Sequence, residues 1–392
     1  MTVMPQIDAR ARELRAVFED LHAHPELGFQ EVRTAGIVAK ALRAAGVDEV
    51  HEGIGGTGVV AVIKGKGKGN RRIGLRADMD ALPIQEVTGL PYASRNDGVM
   101  HACGHDAHTT MLLGAAHYLA ATRDFDGQAV MIFQPAEEGL GGARRMIKEG
   151  LFERFPVDEL YGMHNWPGGE LNRVGLAKGA AMAGASFFDI KITGVGSHGA
   201  MPQQSRDALM IACALVGQIQ TIVARNVAPL DAAVVSVTQV HSGAAYNVVP
   251  ETATLAGTIR YFRKEVYELI EKRMHELCDG FAKAYGVTID ADVRNVFDVL
   301  MNDDDLSEAY LDAARDIVGD DMVHGNEAPA TGSEDFADML QLVPGAYLKL
   351  GHSGTKGLHN PGFTLDPAIL PVGASIYARV VEKRLPLAPE AA

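Results

Sequence analysis

Ala129-Val130-Met131-Ile132-Phe133-Gln134-Pro135-Ala136-Glu137-Glu138 joins five consecutive apolar residues to a proline and two adjacent carboxylates. A short apolar run without alternation reads as a strand buried on both faces. The same pattern recurs. Ile73–Arg76 runs into Asp78 and Asp80, Leu160–Met163 into His164, and Ala346–Leu350 into His352. Helical patterns at Thr109–Ala121 and Gly142–Glu149 lie between such runs. Strands alternating with helices predict a mostly parallel sheet with helices on both faces. In such a sheet, polar residues just past the strand ends gather beyond its carboxyl edge, where sites form.

Outward from this pattern, residues 6–22 and 32–45 read as amphipathic helices, the second ending at Gly46. Lys64–Asn70 alternates Lys and Gly like an exposed hairpin tip. The middle of the chain changes character. Ser186–Thr193 alternates as a half-buried strand, Ser205–Arg225 is a long helix, and Ala232–Val240 and Thr252–Tyr261 are strands. Lys264–Tyr285 is a second long helix and Val287–Val293 a closing strand. The order β-α-β-β-α-β is ferredoxin-like. The expectation is an α/β protein with an inserted α+β domain at about 186–296. The insert splits a catalytic domain into residues 1–185 and 297–392. The final helix falls within Pro371–Leu385, and the residues after Pro386 read as a loose tail.

The 392 residues suit two domains. Hydrophobic residues make up 47% and charged residues 22%, the balance of a globular protein. Lys and Arg total 36 against 50 Asp and Glu, a formal charge of −14 that argues against nucleic acid as a partner. No apolar run reads as long enough to span a bilayer, and Asp8, Arg10, Arg12 and Glu13 interrupt any signal core. The expectation is a cytoplasmic protein with no membrane partner. Three cysteines, Cys103, Cys213 and Cys278, are too few and odd for a disulfide framework. Cys213 and Cys278 sit on apolar helical faces and read as core residues.

The densest chemistry is His101-Ala102-Cys103-Gly104-His105-Asp106-Ala107-His108, where five of eight residues can ligate a metal. A helix N-terminus and a cysteine nucleophile are the competing readings. After the strand at 129, one glutamate of the Glu137/Glu138 pair can ligate while the other serves as general base; adjacent carboxylates are costly to hold without a cation. His164, His352 and His359 fall at strand ends or adjoining loops. Asp78 and Asp80 leave one strand on the same side, placed to orient a ligating histidine or to form a turn. In the insert, Gly194–Pro202 presents His198, Asn247 lies in a turn, and Arg260 stands on a strand. Arginine suits capture of a carboxylate, or a surface ion pair. Cys, His and Glu donors suit zinc, manganese, cobalt or nickel.

Taken together, from His24-Pro25-Glu26-Leu27-Gly28 through Cys103-Gly104-His105-Asp106 and Gln134-Pro135-Ala136-Glu137-Glu138 to His359-Asn360-Pro361, the chain resembles the amidohydrolase branch of the co-catalytic metallopeptidase clan. That branch holds hippurate hydrolases, bacterial aminoacylases and plant indole-acetyl-amino-acid hydrolases. The resemblance implies a discontinuous catalytic domain with a mixed, mostly parallel sheet, and an inserted lid that dimerises. It implies two divalent ions on Cys103, His105, Glu138, His164 and His359. Glu137 becomes the general base and acid, Asp80 a supporting carboxylate, and His198 an oxyanion donor, often supplied by the partner subunit. Asn247 and Arg260 hold the substrate, Arg260 by its free carboxylate. Many relatives in the wider clan carry a ligand histidine where this chain has Asp78, a change shared by the cysteine-containing branch. The expected reaction is hydrolysis of N-acyl amino acids to a carboxylic acid and an amino acid, by a homodimer or homotetramer. Dipeptidases, aminobenzoyl-glutamate or diaminopimelate-type deacylases, and a catalytically dead metal-binding protein are the alternatives.

Overall fold

The computed structural model describes residues 2–388, so part of the tail expected after Pro386 lies outside them. The chain forms two compact units. One comprises Met1–Ala181, Met301–Ala328 and Asp335–Ala392; the other comprises Met182–Leu300 and Pro329–Glu334.

The first unit is built on an eight-stranded mixed sheet. In spatial order its strands are Glu49–Ile54, Gly58–Lys64, Gln128–Gln134, Arg72–Asp78, Glu159–Pro167, Gly345–His352, Val174–Gly175 and Val323–His324. The third to sixth run parallel. The Gly58–Lys64, Gln128–Gln134 and Arg72–Asp78 strands are buried almost throughout, as continuous apolar runs require. The helix His105–Thr122 is apolar around nearly its whole circumference, and helices Ile369–Arg384, Ala11–Ala23 and Val32–Ala45 pack on it. It begins four residues before the expected Thr109, which puts His105, Asp106 and His108 in its first turns.

The Lys64–Asn70 segment is not a hairpin tip. The strands on either side of it do not pair with each other; both flank Gln128–Gln134, one antiparallel and one parallel. The Lys-Gly loop crosses over that strand's start. Gly65, Lys66 and Gly67 donate to the carbonyls of Gly127, Arg123 and Phe125.

The second unit follows the order strand Gly184–Thr193, helix Ala208–Arg225, strands Ala233–Ser242 and Thr252–Tyr261, helix Lys264–Tyr285, strand Thr288–Phe297. Numbered along the chain, the four strands lie in the order 2-3-1-4, all antiparallel, which is the ferredoxin-like arrangement. Asp207 caps the first helix, accepting from the amides of Leu209 and Met210. That helix is long and apolar enough to cross a membrane, unlike the sequence expectation, yet Ile211, Ala212, Leu215, Ile219 and Ile222 are buried within the unit. Its opposite face exposes Leu209, Met210 and Cys213. Cys213 is therefore not the core residue expected, because it sits one position off the buried stripe; Cys278 is buried.

Candidate metal centre

Three strand ends and the start of one helix bring the first unit's ligand-type side chains together. Cys103 is the second residue before the helix His105–Thr122. Gly104 between them adopts φ +84°, a left-handed turn. That turn lets Cys103 and His105 face the same space. Cys103 Sγ is 3.4 Å from His164 Nε2, on the strand Glu159–Pro167. Beyond Gln128–Gln134 the chain turns at Ala136, with φ +53°, a conformation that costs a non-glycine residue energy. The buried Glu31 holds the turn, accepting the Ala136 amide at 2.8 Å. Glu137 and Glu138 follow this turn, each with a carboxylate oxygen within 4.8 Å of a ring nitrogen of His105. Glu138 Oε1 lies 3.3 Å from His359 Nε2 and 3.9 Å from His105 Nε2. His359, also at positive φ, is held by its amide to the Ala102 carbonyl at 2.8 Å.

The potential ligand atoms of Cys103, His105 and His164 lie within 4.8 Å of one another, as do those of Cys103, Glu138 and His359 and those of His105, Glu137 and Glu138. All five candidate ligands and Glu137 thus converge. His105 Nε2 and Glu138 Oε1 are buried without a hydrogen-bond partner among the described residues. Such orphaned atoms are expensive unless a cation takes them. Burial pushes the Cys103 thiol up, and the charge of Glu138 adds to this, so a thiolate there requires a cation. Burial, reinforced by His108, holds His164 well below the usual imidazole range and leaves its ring neutral. The residues present fit a pair of divalent ions.

Neighbouring groups set the ring tautomers that ligation needs. Asp80 Oδ1 is 3.2 Å from His105 Nδ1, and its Oδ2 accepts the Glu138 amide at 3.0 Å. His164 Nδ1 donates to the Asn165 carbonyl at 2.6 Å. In the neutral rings each contact puts the proton on Nδ1 and leaves the Nε2 lone pair for a ligand.

Behind this cluster runs a buried polar chain that the sequence did not disclose. Arg76 donates to Gln134 at 2.9 Å, Asp335 at 3.1 Å and Asp78 Oδ2 at 2.7 Å. Asp78 Oδ1 accepts from His108 Nδ1 at 2.6 Å. His108 Nε2 accepts the Asn165 amide at 2.9 Å, which fixes the proton on Nδ1. The Asn165 side chain donates to the Cys103 carbonyl at 2.6 Å, and its Oδ1 accepts from His352 Nε2 at 3.1 Å. Burial opposes ionisation of Asp78, but His105, His108 and Arg76 outweigh it and hold its pKa well below the carboxylate range. His108 and His352, ligand-type by sequence, are spent on this chain. Asp106 pairs with His22 at 2.7 Å. Only contact geometry separates these roles; the one sequence signal was the adjacency of Asn165 to His164.

His198, Asn247 and Arg260 belong to the second unit. His198 forms a two-residue ribbon with Val248–Val249, and the Gly199 amide donates to the Asn247 carbonyl at 2.7 Å, so His198 and Asn247 are neighbours. Arg260 is elsewhere. It pairs in register with Ala185, at the opposite end of the strand pair from Thr252 and Thr193, beyond which the ribbon lies. Eight residues of extended strand separate the two ends, on the order of 25 Å. Arg260 makes no ion pair among the described residues, and burial lowers its pKa.

A family model for peptidase family M20/M25/M40 matches residues 74–383. A hippurate hydrolase of Campylobacter jejuni is 41% identical over 98% of the chain and 100% of that protein. An N-acetylcysteine deacetylase of Bacillus subtilis is 38% identical over 92% of the chain and 94% of its own length. Among solved structures, a dinuclear metal-binding peptidase of family M20 from Bacillus subtilis superposes with TM-score 0.82 at 35% identity, covering 96% of this chain and 99% of that one.

Proposed function

Because the chain belongs to peptidase family M20/M25/M40, we propose that it is a two-metal amidohydrolase that cuts N-acyl amino acids into a carboxylic acid and a free amino acid. The observation that carries this reading is the convergence of Cys103, His105, Glu138, His164 and His359 beside Glu137, with His105 Nε2 and Glu138 Oε1 buried without a hydrogen-bond partner among the described residues. Those five residues would hold the ions, for which their donor types suit zinc, manganese, cobalt or nickel. When bound, the ions polarise the amide carbonyl and acidify water. Glu137 takes the proton from the attacking water and passes it to the leaving nitrogen. Asp80 keeps His105 in its ligating tautomer. His198 Nδ1 accepts the Ala200 amide at 3.1 Å, so the neutral ring carries its proton on the exposed Nε2. That N–H is suited to the developing oxyanion. Arg260 and Asn247 bind the substrate, Arg260 through its free carboxylate.

His198 and Arg260 are too far apart on one chain to meet on one small substrate. We read the site as shared, with one chain supplying Arg260 and a second copy supplying His198 and Asn247. The exposed edge strand Ala233–Ser242, with Val234 and Val240 at 46%, and the apolar outer face of the helix Ala208–Arg225 support pairing of copies into a dimer or tetramer. Three free cysteines fit a reducing compartment, the cytoplasm.

Elemental analysis is expected to find about two ions per chain, with turnover of N-acetyl and N-benzoyl amino acids lost on chelation and restored by metal. Glu137→Gln should lower kcat by about a hundredfold or more and leave metal content unchanged. Near-full activity in that variant, or turnover surviving complete metal removal, overturns the reading. Glu137→Gln and His198→Ala, each inactive, should regain about a quarter of wild-type activity when unfolded together and reassembled; no regain refutes the shared site.

A further inference from the structure

Lys349 stands on the strand Gly345–His352, directly opposite His164 in the parallel register with Glu159–Pro167. Side chains opposed in this way leave the sheet on the same face, with strands about 4.8 Å apart. Trp166, two residues past His164, shares that face, and its ring lies 6.5 Å from the His164 ring. Lys349 Nζ sits 4.1 Å from the centre of the Trp166 ring, a cation–π contact. The lysine is half-buried and forms no ion pair or hydrogen bond among the described residues. On its other side Lys349 is opposed by Gly175, over which the Glu327 side chain lies, but Glu327 is engaged by Arg173. Lys349, Arg173 and Glu327 together leave one positive charge unbalanced beside the candidate metal ligand His164. A desolvated cation held in place by an aromatic ring, whose neighbouring carboxylate Glu327 is already paired with Arg173, is an anion-binding arrangement.

We propose that Lys349, seated on Trp166, is an anion subsite of the amidohydrolase centre that selects substrates carrying a second carboxylate, on the acyl group or on the amino-acid side chain. The inference rests on the amidohydrolase reading and adds to it a substrate class. It is separate from the capture of the amino acid's own carboxylate by Arg260.

Two matched substrate pairs test it in the metal-loaded enzyme. N-acetylglutamate is compared with N-acetylglutamine, and N-succinyl-leucine with N-butanoyl-leucine. In the wild type one pair should favour its charged member by about tenfold or more in kcat/KM, and which pair does so locates the second carboxylate. Lys349→Met should remove that preference while changing the neutral member less than about threefold, and Lys349→Arg should restore part of it. A wild type without preference in either pair, or a Lys349→Met variant that keeps it, overturns the proposal. Trp166 is the only tryptophan in the chain, so its emission reports on the subsite without turnover. Glutarate should bind several-fold more tightly than butanoate in the wild type and equally in Lys349→Met. Equal binding in the wild type refutes the subsite even if no amide is hydrolysed. Unequal binding without hydrolysis keeps the subsite and overturns the reaction instead.

Discussion

Replacing Asp78 by asparagine changes one oxygen to an amide nitrogen in a fully buried place, and the contacts dictate the result. Asp78 accepts from two donors, Arg76 Nη1 on Oδ2 and His108 Nδ1 on Oδ1. An asparagine has one acceptor, so one of the two must face an N–H. His108 cannot yield by moving its proton to Nε2, because that nitrogen accepts the Asn165 amide. Arg76 keeps Asp335 and Gln134, which offsets part of the loss. Removing one partner from a buried pair costs about 3–5 kcal/mol, and the retained Asp335 places this case near the lower figure, about 3 kcal/mol. The disturbance reaches the Cys103 carbonyl through Asn165, so metal affinity should fall about 10- to 100-fold. Urea unfolding of the metal-free protein measures the first effect and competition against a chelator the second. A stability loss under about 1 kcal/mol with unchanged metal affinity refutes the idea that the chain from Arg76 to Asn165 is a single locked unit.

Other consequences are equally open to measurement. Burial disfavours a charged His22, yet its hydrogen bonds to Asp106 and Glu86 outweigh this and raise its pKa to about 9. The stabilisation is complete below about pH 6.5 and is lost as pH rises through about 9, roughly 3 kcal/mol over that window. Urea unfolding free energies at pH 6.5, 8 and 9.5 should show the decline in the wild type and lack it in His22→Gln; parallel curves contradict the assignment. Gly104→Ala would place a Cβ at positive φ and 2.3 Å from Asn165 Nδ2, so it should weaken metal binding at least about tenfold; isothermal titration giving wild-type affinity tells against the turn's role. Arg260→Met should raise KM about tenfold or more for N-acetyl amino acids and leave the corresponding amino-acid amides little changed; equal effects on both exclude carboxylate capture.

The strands Arg72–Asp78, Gln128–Gln134 and Glu159–Pro167, which deliver Asp78, Glu137 and His164, were legible because each holds an apolar run broken by ligand-type residues, a pattern that survives without knowledge of neighbours. The inserted β-α-β-β-α-β unit was legible from periodicity for the same reason. What the sequence hides is partner choice. The Lys-Gly loop after Lys64 looks like a hairpin because nothing local says that Gln128–Gln134 will lie between the strands it joins. His108, His352 and Asp106 carry the same donor atoms as the candidate ligands, and only the positions of Asp78, Asn165 and His22 divert them. Cys213 differs from Cys278 by where the buried stripe of a helix falls, a matter of one residue. The separation of Arg260 from His198 depends on strand register, which no motif encodes.

The span of the Arg76 contact has a consequence for how the protein is made. Arg76 and Asp335 are 259 residues apart in the chain. At about 5–20 residues per second, a ribosome adds Asp335 tens of seconds after Arg76. Through that interval the amino-terminal half holds a guanidinium meant for full burial without one of its acceptors, and lacks the central strand Gly345–His352. The second unit's main segment, Met182–Leu300, is complete well before then. Its sheet needs no strand from outside that segment, so it is the first part able to close on itself. The candidate metal cluster, which includes His359, is among the last features the growing chain can assemble.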